Sequence, residues 1–371
     1  MKEIKKVTMV RRVIGNFLRS KYSYGLFVPV AIIEIAMFYR LLMARDVFVL
    51  EPPMSHFEKQ VWVIYKAGFA NPATDGQAIN YGDWNLDYGG YTSSKLKLPF
   101  EISSKVFPQM GLYSSHDKVL IKTHMRMIAR HGIDGIIIPW VPKHIDNGFI
   151  DSSVKIILKQ AKKIGISVAV QVISYNGRDR HSINKDINYI ASNYGGDEIY
   201  LKFDGKPVIF FEDPNDIDDI QNVIYYRKNE LFMVTSLTSF SQVGYALENG
   251  FCGINTQGVY SNYTSWDLMH KDAVERGLLF IPMVSPGFEY FGTSISRKSG
   301  KYYKELFTQA VNSGARIILI NSFNDWAHGT QIENIVERDD YMPNENTWGG
   351  PPNYYLELTK SLIKDFKDKK A

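Results

Sequence analysis

An apolar segment in the last quarter of the chain runs directly into a cluster of polar and aromatic side chains. Residues 316–320 are apolar after a leading arginine, which is typical of a buried strand in a parallel sheet. The segment that follows holds a carboxylate, Asp325, and an imidazole, His328, two groups that can exchange protons with a substrate. A buried strand that ends in such a cluster indicates a site at the carboxyl end of a barrel strand. An ordinary surface loop is the alternative. The other polar and aromatic members of the cluster are Asn321, Ser322, Asn324, Trp326, Thr330, Gln331 and Glu333.

Eight apolar segments alternate with helix-like segments through most of the chain. Strict alternation of strands and helices predicts a parallel sheet, and eight units predict an α/β protein with a closed (β/α)8 barrel of the TIM type. An open doubly wound sheet is the alternative, but that fold usually carries a glycine-rich phosphate loop after its first strand, which this sequence lacks. The predicted strands are 61–65, 133–140, 167–173, 207–211, 231–236, 253–256, 278–284 and 316–320, and the predicted helices are 116–131, 152–163, 183–193, 217–228, 240–249, 266–276, 302–313 and 354–367.

Aromatic and amide side chains also follow other predicted strands. Trp140 ends the second strand, Tyr175 follows the third, and Tyr260 follows the sixth. A long irregular segment after the first strand adds Trp84 and Asn85, and long loops of this kind more often have a function than serve only as connections. Rings that stack on sugar C–H faces and amides that bind hydroxyls would suit a carbohydrate site. Capping of the barrel is the alternative for each ring.

The segment 322–333 resembles the motif Ser-Phe-Asn-Glu-Trp-x-Glu-Gly-Thr-Gln-Ile-Glu of glycoside hydrolase family 99, the endo-α-1,2-mannosidases. Weaker blocks that match the family follow in the same order over nearly all of the predicted barrel, among them 71–76, 113–117, 175–179 and 355–359. The resemblance implies a TIM-type barrel with a glycan site at its mouth. The substrate-binding residues that it implies here are Trp84, Asn85, Tyr113, Trp140, Tyr175, Tyr260, Asn324, Trp326 and Glu333.

The chain departs from this family where its chemistry lies. The two catalytic glutamates of the motif fall on Asp325 and His328, a further site carboxylate falls on Ile173, and clustered aromatics of the first loop fall on residues 66–68. In the family, one glutamate is thought to deprotonate the sugar's own 2-hydroxyl while the other protonates the leaving oxygen. Asp325 is one methylene shorter, and a ~1 Å misplacement can cost ~100-fold in rate. A cationic His328 would stand where the transition state builds positive charge.

Two functions therefore remain open. One is a catalytically silent relative that binds glycans or serves as a subunit of a membrane complex, and the substitutions at Asp325, His328 and Ile173 favour it. The other is an active glycosidase on α-mannosides that uses Asp325 as its base. The matching framework residues keep this second function open.

Composition narrows the classes of protein and of partner that fit this sequence. The apolar fraction of 45% fits a globular domain with a sizeable core. A net charge of +4 without an interior basic stripe argues against nucleic acid as a partner. The single cysteine, Cys252, excludes an intrachain disulfide and makes a cysteine-based metal site improbable. We expect neither a metal nor a cofactor.

The amino-terminal region differs from the rest of the chain. Residues 1–23 form a basic tail, residues 24–44 are largely apolar, residues 45–60 read as a stem, and the barrel domain occupies 61–371. A basic flank followed by an apolar run predicts a single-pass signal anchor with the barrel in the lumen of the Golgi or endoplasmic reticulum. Glu34 lies near the middle of the run, so a helix packed on a protein partner is an alternative. A mitochondrial presequence, leading to the inner membrane, is another.

Overall fold

Parallel strands form a closed ring in the part of the chain that the structure describes. We describe the fold from a computed structural model, which covers residues 58–76, 82–85, 102, 104, 106–214, 217–256, 265–290, 293–336 and 348–369. All of these residues belong to one unit of the chain, Met54–Ala371. The barrel strands are β1 (Gln60–Ile64), β2 (Gly135–Trp140), β3 (Ser167–Val172), β4 (Lys206–Phe211), β5 (Phe232–Leu237), β6 (Gly253–Thr256), β7 (Leu279–Ile281 with Met283–Val284) and β8 (Ile317–Ile320).

Each strand of the ring pairs in parallel with the strands before and after it. β1 pairs with both β2 and β8, so the first and last strands meet. The first half of β7 pairs with β6 and its second half with β8. Pro282 divides these halves because proline has no N–H to donate to a neighbouring strand, yet its carbonyl still accepts from the Leu319 N–H at 3.0 Å. The closed ring confirms the predicted barrel.

Eight helices cover the outside of the ring in the order that the alternation predicted. They are α1 (Lys118–Arg130), α2 (Phe149–Lys162), α3 (Arg180–Asn193), α4 (Gln221–Arg227), α5 (Val243–Glu248), α6 (Trp266–Glu275), α7 (Lys301–Asn312) and α8 (Tyr354–Asp368). Side chains start two of them: Asp117 accepts from the Val119 and Leu120 N–H groups, and Asp179 forms a capping box with Ser182. Strand residues such as Val63 and Ile137 are fully buried, as expected for strands covered on both faces.

Several predicted boundaries were wrong, including that of the helix predicted over 183–193, which begins at Arg180. The helix predicted over 217–228 begins at Gln221, because Asp219 has a positive φ of 56° that a helix cannot accommodate. The segment predicted as a helix over 240–249 is a 3-10 turn, Phe240–Gln242, followed by α5. The helix predicted from residue 152 begins earlier, at Phe149.

The predicted membrane anchor, residues 24–44, lies outside the residues described here, as do the basic tail and most of the stem. Among the helices that the structure does describe, none is both long enough and apolar enough to cross a bilayer. The anchor therefore stays a prediction.

Candidate functional site

The loops after β1 and β8 meet at the carboxyl end of the barrel and are tied together by one buried amide. Asn324 accepts from the Lys66 backbone N–H at 2.7 Å, and its own Nδ2 donates to the Lys66 carbonyl at 3.0 Å. The loop after β8 is also closed on itself, because the Asp325 N–H donates to Ser322 Oγ at 2.8 Å. These bonds fix the backbone immediately before Asp325.

Asp325 and His328 form a direct pair at this mouth. The Asp325 Oδ2 atom lies 2.8 Å from His328 Nδ1, and Oδ1 accepts from the His328 backbone N–H at 3.2 Å. The Lys66 ammonium lies 3.5 Å from the same Oδ2. The His328 ring stacks on Phe288, with ring centroids 6.0 Å apart and planes 12° apart. The carboxylate therefore faces two nitrogen groups of its own protein.

These contacts determine the charge of Asp325. Burial disfavours its ionised form, but the Lys66 ammonium and the His328 ring, with its hydrogen bonds, outweigh burial and hold the pKa of Asp325 well below its usual range. The group is therefore an anion at every physiological pH. A carboxylate held this strongly in its ionised form is a weak base, since general bases work best with a pKa near the working pH.

A buried hydrogen-bond network lies beneath this pair. Glu333 is fully buried, and its Oε2 accepts from the Tyr113 hydroxyl at 2.7 Å and from the Trp326 indole N–H at 3.2 Å. The His124 Nε2 atom lies 3.2 Å from the other oxygen, Oε1, and the Tyr65 hydroxyl lies 2.8 Å from His124 Nδ1. Burial and the charge of Glu333 raise the pKa of Tyr65 and Tyr113 well above their usual value, so both phenols stay neutral.

The predicted substrate-binding aromatics are distributed between this network and the helix layer. Trp84 is buried against Phe69, with centroids 4.2 Å apart, and its indole donates to the Tyr113 carbonyl at 2.9 Å. Trp140 is also buried and stacks on Tyr189 of α3 at 5.9 Å. Trp84 and Trp326 therefore belong to the buried network, with ring centroids 6.3 Å apart, whereas Trp140 packs against the helix layer.

The remaining predicted site residues occupy other positions. Tyr175 is partly buried, and its hydroxyl donates to Asp186 of α3 at 2.5 Å. Ile173 is partly buried at the end of β3. Asn85 ends a 3-10 turn, Asp83–Asn85, but its side chain lies outside the described part of the structure, and Tyr260 lies outside it entirely. The assignment of the nine residues to substrate binding stays a prediction.

Three residues of the site were missed by sequence reasoning. Lys66 was noted as a departure from the family but not as the partner of Asp325. Arg297 is buried and donates to the carbonyls of Gly329 and Gln331 at 2.9 and 2.8 Å, which secures the loop after β8 from below. Asp83 precedes the Trp84–Asn85 pair, and the charge of Lys66 acts on its carboxyl group. No motif singled out Arg297, whereas a carboxylate next to a family-like Trp-Asn pair was a usable signal for Asp83.

Metal ligation is not evident at this mouth. Within the described residues, no group of three His, Cys, Asp or Glu side chains is placed to hold a metal ion.

The closed ring and the polar cluster at its carboxyl end define a (β/α)8-barrel protein with a candidate site after β1 and β8. The model for glycosyl hydrolase family 99 matches residues 56–368, and the chain belongs to that family. This result confirms the resemblance seen in the motif.

Three proteins illustrate what the chain is similar to in sequence or in structure. The chain is 27% identical to glycoprotein endo-alpha-1,2-mannosidase of Mus musculus, with 85% of this chain and 76% of that protein covered. It is 26% identical to glycoprotein endo-alpha-1,2-mannosidase-like protein of Homo sapiens, over 81% of this chain and 74% of that protein. Among solved structures, the GH99 endo-alpha-mannosidase of Bacteroides thetaiotaomicron in complex with BIS-TRIS-propane is similar, with a TM-score of 0.71 at 25% identity. That match covers 83% of this chain and 97% of the bacterial one.

Proposed function

We propose that this protein binds α-mannoside glycans and does not hydrolyse them by the glutamate-pair chemistry of its family. The observation that carries the proposal is the pairing of Asp325 with Lys66 and His328, at 3.5 and 2.8 Å. In this reading, Asp325 and His328 replace the two catalytic glutamates. The carboxylate that would act as base is engaged by the protein's own nitrogen groups.

The replacement of the acid has an equally direct consequence. His328 is held against Phe288 and is bonded through Nδ1 to Asp325. If the imidazole is to donate a proton it must first be a cation, and a cation beside a developing oxocarbenium centre raises the barrier. Ile173 supplies neither charge nor hydrogen bond at a third family position. The low pKa of Asp325 also weighs against the alternative in which Asp325 alone serves as the base.

The features that support binding are the retained framework and the named relatives. Family relatives are named as endo-alpha-1,2-mannosidases, and this chain keeps the buried Glu333–Tyr113–Trp326 network and the Asn324 clamp beneath the mouth. Lys66 and His328 remain about one-fifth exposed, so their polar atoms can reach a ligand. A silent subunit of a membrane protein complex is the competing role, and it would need no glycan affinity.

Calorimetry on the full-length protein tests the binding proposal. We expect weak binding of an α-1,2-linked mannoside, weakened by roughly 1 kcal/mol in Tyr175→Ala because one aromatic platform at the rim is lost. Trp326→Ala is less informative, since Trp326 is 2% exposed and its loss would disturb the buried network. Tyr226→Ala is the matched control, because Tyr226 is 75% exposed on α4. Absence of heat with any mannoside for a folded protein would contradict glycan binding and favour the subunit role.

We also propose that residues 24–44 anchor the protein in a membrane with the barrel in the secretory lumen, on the strength of the basic flank and apolar run. The full-length protein should then stay with membranes during alkaline carbonate extraction. Release into the supernatant would contradict the anchor. A glycan on Asn262, the acceptor of the sequon Asn262-Tyr263-Thr264, would support the lumenal orientation.

A further inference from the structure

A cavity of about 370 Å³ lies on the flank of the barrel, between α1 and the start of α8. Its volume is within the range of small-ligand pockets, roughly 300–1,000 Å³. Two of its lining residues, Met110 and Glu357, have exposed fractions of 40% for the residue and 55% for the side chain, so solvent reaches the cavity. It belongs to the helix layer and is separate from the mouth, where Asp325 pairs with His328.

Asn334 lines the buried side of this cavity and is held by the segment beside it. The short strands Phe107–Pro108 and Ile335–Val336 pair in antiparallel fashion, and next to them the Gln109 N–H donates to the Asn334 carbonyl at 3.0 Å. The Asn334 Nδ2 donates to Gln109 Oε1 at 3.2 Å. Its Oδ1 is buried, yet it accepts no hydrogen bond from any residue that the structure describes. Because a buried acceptor without a donor is unfavourable, Asn334 Oδ1 is suited to a donor that a ligand supplies.

The neighbouring residue provides a second buried acceptor. Glu333 is fully buried and lines the same cavity. Its Oε2 accepts from Tyr113 and Trp326 beneath the mouth. Its Oε1 has no well-aligned hydrogen bond within the described residues, although His124 Nε2 lies 3.2 Å away. Residues 333 and 334 therefore both hold acceptor oxygens with unused capacity.

Charged groups of both signs line the cavity. Arg130 ends α1, and Glu357 belongs to α8, where His131 Nε2 lies 3.5 Å from its carboxylate. An anionic ligand would meet the carboxylates of Glu333 and Glu357, and a cationic ligand would meet the Arg130 guanidinium. A neutral ligand avoids both penalties. Hydroxyl groups match this lining because they can donate to Asn334 Oδ1 and accept from the Arg130 N–H groups.

We propose that this cavity binds a neutral polyol with the size of one sugar residue. Its hydroxyls donate to Asn334 Oδ1 and accept from Arg130, while its C–H groups pack on the thioether side chains of Met110 and Met127. A free cyclic polyol and the end residue of a glycan share this chemistry, and they differ in whether the ring carries a glycosidic substituent. The site is independent of the proposed binding of α-mannosides at the mouth.

Methionine methyl NMR on the full-length protein tests the site. The methionine methyl groups are isotopically labelled, and the protein is kept in a detergent without a sugar head group, which would otherwise compete. Adding D-glucose or myo-inositol should shift the signals of Met110 and Met127. The signal of Met283, which is buried in β7, should stay in place. Unchanged Met110 and Met127 signals with both polyols would overturn the inference.

Two charged analogues of glucose test the argument from charge. Glucosamine, a cation, and glucuronate, an anion, should each bind at least several-fold more weakly than glucose. Tighter binding of either analogue would overturn the assignment to neutral polyols. Methyl β-glucoside then separates the two sources of the ligand. Binding as tight as that of glucose assigns the cavity to a residue of a glycan, and weaker binding assigns it to a free polyol.

A variant that fills the cavity provides the matched comparison. Thr123 lines the cavity on α1, and methionine is a good helix former, so Thr123→Met should occupy the space and weaken glucose binding at least ~10-fold. Thr308→Met is the control, because Thr308 is exposed on α7, and it should bind glucose like the parent. Asn334→Ala should weaken binding by about tenfold through the loss of one hydrogen bond. Unchanged affinity in folded Thr123→Met or folded Asn334→Ala would overturn the inference.

Discussion

Placing carboxylates at the positions proposed to correspond to the family's glutamates is expected to give the protein a mannosidase activity that we propose it lacks. The variant combines Asp325→Glu and His328→Glu with Ile173→Glu, and adds Lys66→Met because the Lys66 ammonium would otherwise pair with the new base at Asp325's position. At about pH 8, hydrolysis of phenyl α-mannoside, whose leaving group needs a proton, should rise at least ~100-fold over the parent. The gain follows from supplying both a correctly placed base and an acid without a cationic ring.

The loop after β8 is held by contacts that these substitutions do not remove. Arg297 and Asn324 hold the loop after β8 through backbone contacts that the four substitutions leave in place. The matched control carries Gln in place of Glu at positions 325 and 328 in the same background, and it should stay at the parent rate. A restored variant that folds and binds mannosides but gains nothing over this control would contradict our account of why the site is silent.

The unmodified protein is expected not to cleave endo-α-1,2-mannosidic bonds at a useful rate near neutral pH. General acid or base assistance is typically worth ~100- to 10,000-fold for each group. In the proposed correspondence, His328, bonded to Asp325, stands at the acid position, and Asp325, a shorter carboxylate with a depressed pKa, stands at the base position. Both contributions are therefore removed or strongly reduced, and the rate should approach that of the uncatalysed reaction.

Sequence patterns predicted the scaffold well because its determinants are local. Fully buried strands such as Gly135–Trp140 are continuous apolar runs. The caps at Asp117 and Asp179 were not used, and the helix predicted from residue 183 begins at Arg180. Boundaries were wrong where one backbone conformation decided them, as at Asp219 with its positive φ. Such conformations are set by packing and turn geometry that periodicity does not encode.

The site was predicted in part because its members come from segments distant in the chain. The motif located Asp325 and His328, but it did not indicate that they bond to each other. Nor did it indicate that Lys66, far away in the sequence, approaches Asp325. Trp326 and Glu333 belong to a buried network that the sequence did not indicate, and their contact with sugar stays a prediction. Polar side chains beside a strand end look alike in sequence whether they face a ligand or a neighbouring buried group.

Product analysis with the unmodified full-length protein is the most direct test of the central claim. A reducing α-1,2-linked manno-oligosaccharide whose binding has been measured by calorimetry is incubated at about pH 8 with excess protein. Released sugars are then separated by chromatography and compared with a sample without protein. We predict no release above that blank, with the ligand still bound. Robust release that disappears in Asp325→Ala would contradict the account, because Asp325 would then be a working base despite its pairing with Lys66 and His328.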